Sequence, residues 1–218
     1  MNPADRLIVA LDLPADEAIA IVKKLLPYVN KFKLGVGTFM LIDGRFLAKF
    51  IVSERAHFMA DLKLYDTRDT VRRTMEIVDR LGASMVTVHA DCVEYALGFR
   101  PEILSVRRLT DGVRPSVWLN ETSGFSLSDE KICDGLICPP AYLEELRPAT
   151  KKILVCPGIR PAGAESNNHV APSTPGDAIR NGADYIVIGR PIYAAPDPVA
   201  ATLAIITEIA DAGAQQPG

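Results

Sequence analysis

The run Asp61-Leu62-Lys63-Leu64-Tyr65-Asp66 sets two carboxylates and an ammonium directly behind the apolar stretch Phe58-Met59-Ala60. If that stretch is a strand, its period of two puts Asp61 and Lys63 on one face, while Leu62 packs on the other. Charges on an inward face are costly unless paired, so Asp61 and Lys63 must share a network with other charges such as Lys33 and Asp66. Asp12, at the end of Leu7-Ile8-Val9-Ala10-Leu11, and Lys33, inside Lys31-Phe32-Lys33-Leu34-Gly35-Val36, stand at matching places in two earlier apolar runs. Fixed charges of both signs in one place suit electrostatic stabilisation and proton transfer. His89, ending Met85-Val86-Thr87-Val88-His89, reads as a buttress of its strand end.

These residues meet only if the elements carrying them are neighbours. Short β-branched runs alternate with longer amphipathic stretches along the chain. Strands are expected at 7–11, 31–36, 57–62, 85–89, 116–119, 135–138, 152–155 and 185–188. Helices are expected between and after them, at 16–26, 43–51, 68–81, 93–107, 128–132, 141–146, 175–181 and 198–211. Strands that alternate with helices pair in parallel through right-handed crossovers, and eight such units most naturally close into a (β/α)8 TIM barrel. Periodicity alone leaves a doubly wound open sheet as the alternative. Leu81-Gly82-Ala83-Ser84 and Asn181-Gly182-Ala183-Asp184 each end a helix on glycine and drop straight into a strand. The fifth helix is short, so one barrel unit is expected to be degenerate. Residues 157–175 break the rhythm with four prolines, Gly158, Gly163, Ser166, Asn167, Asn168 and His169. A loop of this length and composition reads as a mobile lid over 158–173. In a barrel the active site gathers at the carboxyl ends of the strands, where Asp12, Lys33, Asp61, Lys63 and His89 fall.

The 218 residues suit one core, so a single domain over 1–218 is expected. A formal charge of -3 provides no basic field for nucleic acid, which favours a small anionic ligand held by local groups. No segment approaches the ~18 uninterrupted apolar residues of a membrane span. Met1 to Arg6 leads into an apolar run too short for a secretory signal, so a cytoplasmic protein is expected. Cys92, Cys133, Cys138 and Cys156 lack zinc-site spacing and read as reduced, buried thiols, and Trp118 reads as core.

The stretch Asp61-Leu62-Lys63-Leu64-Tyr65-Asp66-Thr67-Arg68-Asp69-Thr70 resembles the signature of the orotidine 5′-monophosphate decarboxylase family, D-x-K-x-x-D with a threonine four residues later. Ala10-Leu11-Asp12, Phe32-Lys33-Leu34-Gly35, Val86-Thr87-Val88-His89, Pro157-Gly158-Ile159 and Ile188-Gly189-Arg190-Pro191-Ile192-Tyr193 resemble its other landmarks, in the expected order across the whole chain. D-x-K-x-x-D is shared with sugar-phosphate decarboxylases and aldolases of the same suprafamily; Lys33 and Thr70 favour the nucleotide enzyme.

The resemblance implies a cofactor-free carboxy-lyase, a homodimer with shared active sites that converts orotidine 5′-monophosphate to uridine 5′-monophosphate. Lys33, Asp61, Lys63 and Asp66 would be catalytic, with Asp66 and Thr70 reaching into the partner's site. Asp12, Lys33, Thr70, Ser123, Pro157, Gly189 and Arg190 would bind substrate, the phosphate lying at Gly189-Arg190 at the start of the last helix. Lys63 would stabilise the carbanion left at carbon six and then protonate it. The family's glutamine in the loop after the seventh strand is missing; Asn167, Asn168 or His169 would take its place, His169 lying closest by position. Two other readings compete: a metal-dependent sugar-phosphate enzyme, and a phosphate-binding barrel without catalysis. If the resemblance holds, exhaustive dialysis against a chelator leaves the loss of orotidine monophosphate absorbance unchanged. Activity that disappears and returns with a divalent metal would favour the sugar-phosphate reading.

Overall fold

Eight parallel strands follow one another around a closed barrel in sequence order, with β8 returning to β1. The computed structural model describes residues 1–41, 43–106, 132–161 and 173–214. The strands are β1 (Leu7–Ala10), β2 (Lys31–Gly35), β3 (His57–Leu64), β4 (Met85–His89), β5 (Glu102–Val106), β6 (Gly135–Ile137), β7 (Ile153–Cys156) and β8 (Tyr185–Ile188). The helices among the described residues are α1 (Ala15–Leu25), α2 (Val36–Met40), α3 (Gly44–Ser53), α4 (Arg68–Arg80), α5 (Leu143–Leu146), α6 (Pro175–Arg180), α7 (Arg190–Tyr193) and α8 (Pro198–Ala214).

Alternation within each strand divides the core in two. Phe32, Leu34, Phe58, Ala60, Val86 and Val88 point outward and meet Val22 and Leu25 of α1, Leu47 and Ile51 of α3, and Val71 and Met75 of α4. Ile8, Ala10, Met59, Met85, Leu104, Val155 and Val187 point inward and fill the barrel. The helices obey the same logic: α1 buries Ala15, Ala18, Ile21, Val22 and Leu25 on one stripe and carries Asp16 and Glu17 in its first turn, Lys23 and Lys24 in its last. A reciprocal cap starts α6, where the Thr174 hydroxyl accepts from the Asp177 N–H and Pro175 occupies the first turn.

The fifth unit departs from the expected boundaries. In place of a helix over 93–107 there is a 3-10 stretch, Ala90–Ala96, followed by β5. Gly98, at φ +90, and Pro101 interrupt the helical pattern, and Glu102-Ile103-Leu104-Ser105-Val106 pairs with β4 in the register Met85↔Glu102. The fifth strand is therefore β5 and not 116–119, a segment outside the described residues, as is nearly all of the helix expected at 128–132. Smaller differences are that Val36 opens α2 instead of ending β2, and that β3 runs two residues further than expected.

The amino ends of the strands are clasped by polar side chains. The Asp184 carboxylate accepts from the Leu154 N–H at 2.8 Å and from Arg147 Nη1 at 3.0 Å. Arg147 also donates to the carbonyls of Lys152, at 3.0 Å, and Thr150. Its stem lies across Gly182, at φ +99, where a Cβ would collide with it. Arg147→Ala removes several hydrogen bonds, charge-assisted ones among them, from the base of β7 and β8. A loss of about 2–4 kcal/mol in urea unfolding is expected; a change within ~0.5 kcal/mol would show the clasp to be solvated decoration.

Candidate active site

The carboxyl ends of β1 to β3 bring four charges into one chain of contacts. Lys33 points into the barrel mouth from β2, and its Nζ lies 3.3 Å from Asp12 Oδ1 and 3.3 Å from Asp61 Oδ2. The other oxygen of Asp61 accepts from Lys63 Nζ at 2.7 Å. The order is thus Asp12, Lys33, Asp61, Lys63. Side-chain exposure is 12% for Lys33 and 14% for Asp61 but 39% for Lys63 and 54% for Asp12, so the inner pair is enclosed and the outer pair faces the open mouth. Gly35, in register with Asp61, leaves room for this packing: a Cβ there would lie 3.3 Å from Asp12 Oδ1 and 3.6 Å from Lys33 Nζ.

Asp61 and Lys63 do share a face, but not through regular alternation. The ladder between β3 and β4 passes from Ala60↔Val86 to Leu64↔Val88, so four steps on β3 oppose two on β4. Lys63 sits inside this bulge at φ +49, a backbone state that costs a non-glycine residue about 1–2 kcal/mol. Its N–H donates to Thr87 Oγ1 at 2.8 Å, and the Thr87 hydroxyl donates to Asp61 Oδ1 at 3.0 Å.

Burial, the largest single influence on the Asp61 carboxyl, pushes its pKa up. The charges of Lys33 and Lys63, with hydrogen bonds from Lys63 and Thr87, outweigh it and hold the group below the usual aspartate value. The site therefore keeps an enclosed carboxylate ionised between two ammonium groups.

Asp66 and Thr70 do not join the array of their own chain. Asp66 Oδ1 accepts from the Thr67 N–H at 2.7 Å, and the Thr67 and Thr70 hydroxyls lie 3.1 Å apart at the exposed start of α4. Among the described residues, no cation pairs with Asp66. The His89 ring lies tilted against Tyr65, with centroids 4.6 Å apart, and its Nδ1 accepts from the Asp91 N–H at 3.4 Å.

Across the mouth, Gly189 passes so close to β1 that a Cβ would meet the Ala10 Cβ at 3.2 Å. Arg190 follows it, exposed, as the first residue of α7, a four-residue helix that precedes the last one. So short a helix contributes little dipole, so the positive charge at its start is that of the guanidinium. Arg160, which follows Pro157-Gly158-Ile159 at the end of β7, lies within electrostatic reach of it. Burial lowers the Arg160 pKa most, the like charge of Arg190 lowers it further, and Tyr193 acts the other way. The Tyr193 hydroxyl is pushed up by burial and then by Asp12, against the opposing influence of Arg190, Lys33 and Arg160. Tyr193 is thus within electrostatic reach of both arginines and of Asp12 and Lys33. Ser123, Asn167, Asn168 and His169 lie outside the described residues, as does the centre of the expected lid; at its edges, the Arg160 N–H donates to the Ser173 carbonyl at 3.0 Å.

A model of the Orotidine 5′-phosphate decarboxylase / HUMPS family matches residues 5–93 and 123–205. The orotidine 5′-phosphate decarboxylase of Rhodopseudomonas palustris is 39% identical, the alignment covering 95% of this chain and 95% of that protein. That of Moorella thermoacetica is 34% identical, over 96% and 94%. This chain belongs to the orotidine 5′-phosphate decarboxylase / HUMPS family. Solved structures agree: orotidine 5′-phosphate decarboxylase from Pyrococcus horikoshii superposes with a TM-score of 0.76 at 29% identity, covering 94% of this chain and 99% of that one. The Lactobacillus acidophilus enzyme gives 0.70 at 29% identity with the same coverage.

The two stretches matched by the family hold every candidate site residue from Asp12 to Arg190. Sequence reasoning passed over two further residues at the mouth. Arg160 was legible as a cation one residue beyond Pro157-Gly158-Ile159. Thr87 lay inside a quoted landmark, but its contacts join strands 24 and 26 residues apart.

With its folded-state pKa depressed, Asp61 contributes stability fully above its unfolded value of about 3.9, and the contribution is lost as pH falls through the folded value. Asp61→Asn leaves two ammonium groups without their carboxylate. Its deficit in urea unfolding should be about 2–3 kcal/mol, below the full value for a buried pair because Lys63 is partly solvated. The deficit should stay flat from about pH 8 to 5 and narrow only below about pH 4. A deficit that already shrinks between about pH 7 and 5 would place the Asp61 pKa at or above the ordinary range.

Proposed function

We infer that the chain is an orotidine 5′-monophosphate decarboxylase, a carboxy-lyase that forms uridine 5′-monophosphate and carbon dioxide in de novo pyrimidine synthesis. One observation carries this reading: a single carboxylate, Asp61, holds Lys63 at 2.7 Å and Lys33 at 3.3 Å, so an ammonium is presented at the mouth and fixed from behind. The bond from carbon six of the pyrimidine to its carboxylate breaks, and the electron pair stays on carbon six, where no adjacent carbonyl accepts it. Lys63 stabilises that pair electrostatically and delivers a proton to it; the resulting amine regains a proton from water. Asp61 keeps Lys63 protonated and aimed. The chemistry asks nothing of a metal or organic cofactor.

The phosphate binds at Arg190 with Arg160, aided by the backbone at Gly189, while Pro157 and Ser123 border the base. Two guanidinium groups in electrostatic reach of each other favour a dianion, and Arg160 supplies a grip that the missing glutamine would otherwise provide. Phosphate binding, remote from the reacting carbon, supplies energy that holds the base at the reacting end.

The active form in this reading is a cytoplasmic homodimer of single-domain barrels. Supporting this are the position of Asp66 and Thr70, exposed and apart from their own array, and the buried thiols of Cys92, Cys138 and Cys156, none of them in a disulfide, which suits a reducing compartment. Among the described residues, no helix is long and apolar enough to cross a membrane. Lys33, Asp61 and Lys63 serve their own site, and Asp66 and Thr70 complete the partner's.

Following orotidine monophosphate absorbance tests the reaction and the assembly together. The wild-type chain should consume the nucleotide, while Lys63→Ala and Asp66→Asn should each be inactive alone. Mixing the two variants should restore activity, because one site in each heterodimer joins an intact Lys63 to an intact Asp66. An inactive wild type would overturn the reaction; an active wild type without recovery on subunit exchange would overturn the shared site alone.

A further inference from the structure

The bulge in β3 creates a problem that only one side chain is placed to solve. Between Ala60↔Val86 and Leu64↔Val88 the ladder supplies no regular partner for the Lys63 N–H, and an unpaired N–H there would cost about 1–3 kcal/mol on top of the left-handed backbone. Thr87 is fully buried in β4, directly between the two paired positions. Its one hydroxyl works in both directions, accepting the Lys63 N–H at 2.8 Å and donating to Asp61 Oδ1 at 3.0 Å. It therefore ties the backbone of the proton donor to the carboxylate that fixes the donor's ammonium.

We propose that Thr87 is a positioning residue for decarboxylation: its hydroxyl holds the turn at Lys63 and the Asp61 carboxylate in one geometry, and so sets where the ammonium meets the substrate. It acts through Lys63 and Asp61. Two features separate this role from ordinary core packing. The hydroxyl's proton is committed to Asp61, so its lone pairs remain for the Lys63 N–H, and both bonds are lost together if the oxygen is removed. Valine has nearly the same shape as threonine without the oxygen, whereas serine keeps the oxygen and loses only a methyl group.

The kinetic part rests on the decarboxylase reading, and the test separates the two. Thr87→Val should lower kcat about 10- to 100-fold, the equivalent of one or two hydrogen bonds, with KM for orotidine monophosphate changed less than about threefold. Thr87→Ser should stay within about fivefold of wild type in kcat. Amide hydrogen exchange of Lys63 should be slow in wild type and in Thr87→Ser, and fast in Thr87→Val. If Thr87→Val does not fold, Thr87→Ala removes the same oxygen without adding bulk and should give the same pattern. A wild-type kcat in Thr87→Val, equal losses in the serine and valine variants, or unchanged exchange at Lys63 would overturn the proposal. A wild-type chain inactive toward orotidine monophosphate would overturn the decarboxylase reading instead, and the exchange measurement would still decide whether Thr87 holds the turn.

Discussion

The Asp61 carboxylate is the constraint around which the rest of the mouth is arranged. A charge with 14% of its side chain exposed is tolerable only if its lost hydration is replaced, and here two ammonium groups and a hydroxyl replace it. Those three donors come from β2, β3 and β4, and Lys33 passes the linkage on to Asp12 beyond β1. Four successive strands are thereby held at one level by electrostatics as well as by their ladders. None of the groups can be removed neutrally: losing an ammonium strands a carboxylate, and losing the carboxylate sets two like charges side by side. Fixed charge of this kind is what electrostatic catalysis requires, since the cost of orienting the dipoles and ions is met during folding and not during the reaction.

Such an array needs a dry and rigid floor. Met59 and Met85 lie one layer below it, with Ile8, Leu104, Val155 and Val187 around them, so the barrel interior is packed and water is kept out from underneath. The opposite end of the same strands carries polar side chains of another kind. Arg147 and Asp184 spend their hydrogen bonds on backbone groups at the base of β7 and β8, and Asp134 accepts from the Ile103 N–H at 2.8 Å at the base of β5. Charges at the base satisfy the chain; charges at the mouth satisfy mainly one another, which leaves Lys63 and Asp12 facing outward.

Much of this was legible in the sequence, because the signals were local. Alternation located seven strands to within a residue or two, and the pairing cost of buried charge was enough to join Lys33 to Asp61 and Lys63, though it also drew in Asp66, which stands apart from the array of its own chain, and left Asp12 as a charge at a neighbouring strand end. The fifth strand was misplaced because 93–107 carries apolar residues at helical spacing; the backbone at Gly98 and the neighbouring edge of β4 decided otherwise. Period two correctly placed Asp61 and Lys63 on one face while hiding the means, since a bulge depends on the partner strand. Arg160 escaped for a related reason. An arginine opening a long loop reads as solvated until β8 brings Arg190 beside it.

Closure of the barrel, which periodicity could not establish, is what turns these residues into one site. In a doubly wound open sheet β1 and β8 would not be paired, and the groups at the end of β8 would lie apart from Asp12. Here Val9 pairs with Ile188, and the next residue, Gly189, rides against Ala10, where a Cβ would lie a tight 3.2 Å from the Ala10 Cβ. Beyond that contact, Tyr193 lies within electrostatic reach of Asp12 and Lys33 as well as of Arg190 and Arg160. In the proposed reading the mouth then has an anion-binding half, on β7 and β8, and a reacting half, on β1 to β4, joined where β8 pairs with β1. A nucleotide spans such a distance: its phosphate engages groups remote from the bond that breaks, and binding energy gained at one half holds the base against the prearranged charges of the other. In that reading phosphate grip and proton delivery are coupled because the last strand of the barrel is hydrogen-bonded to the first.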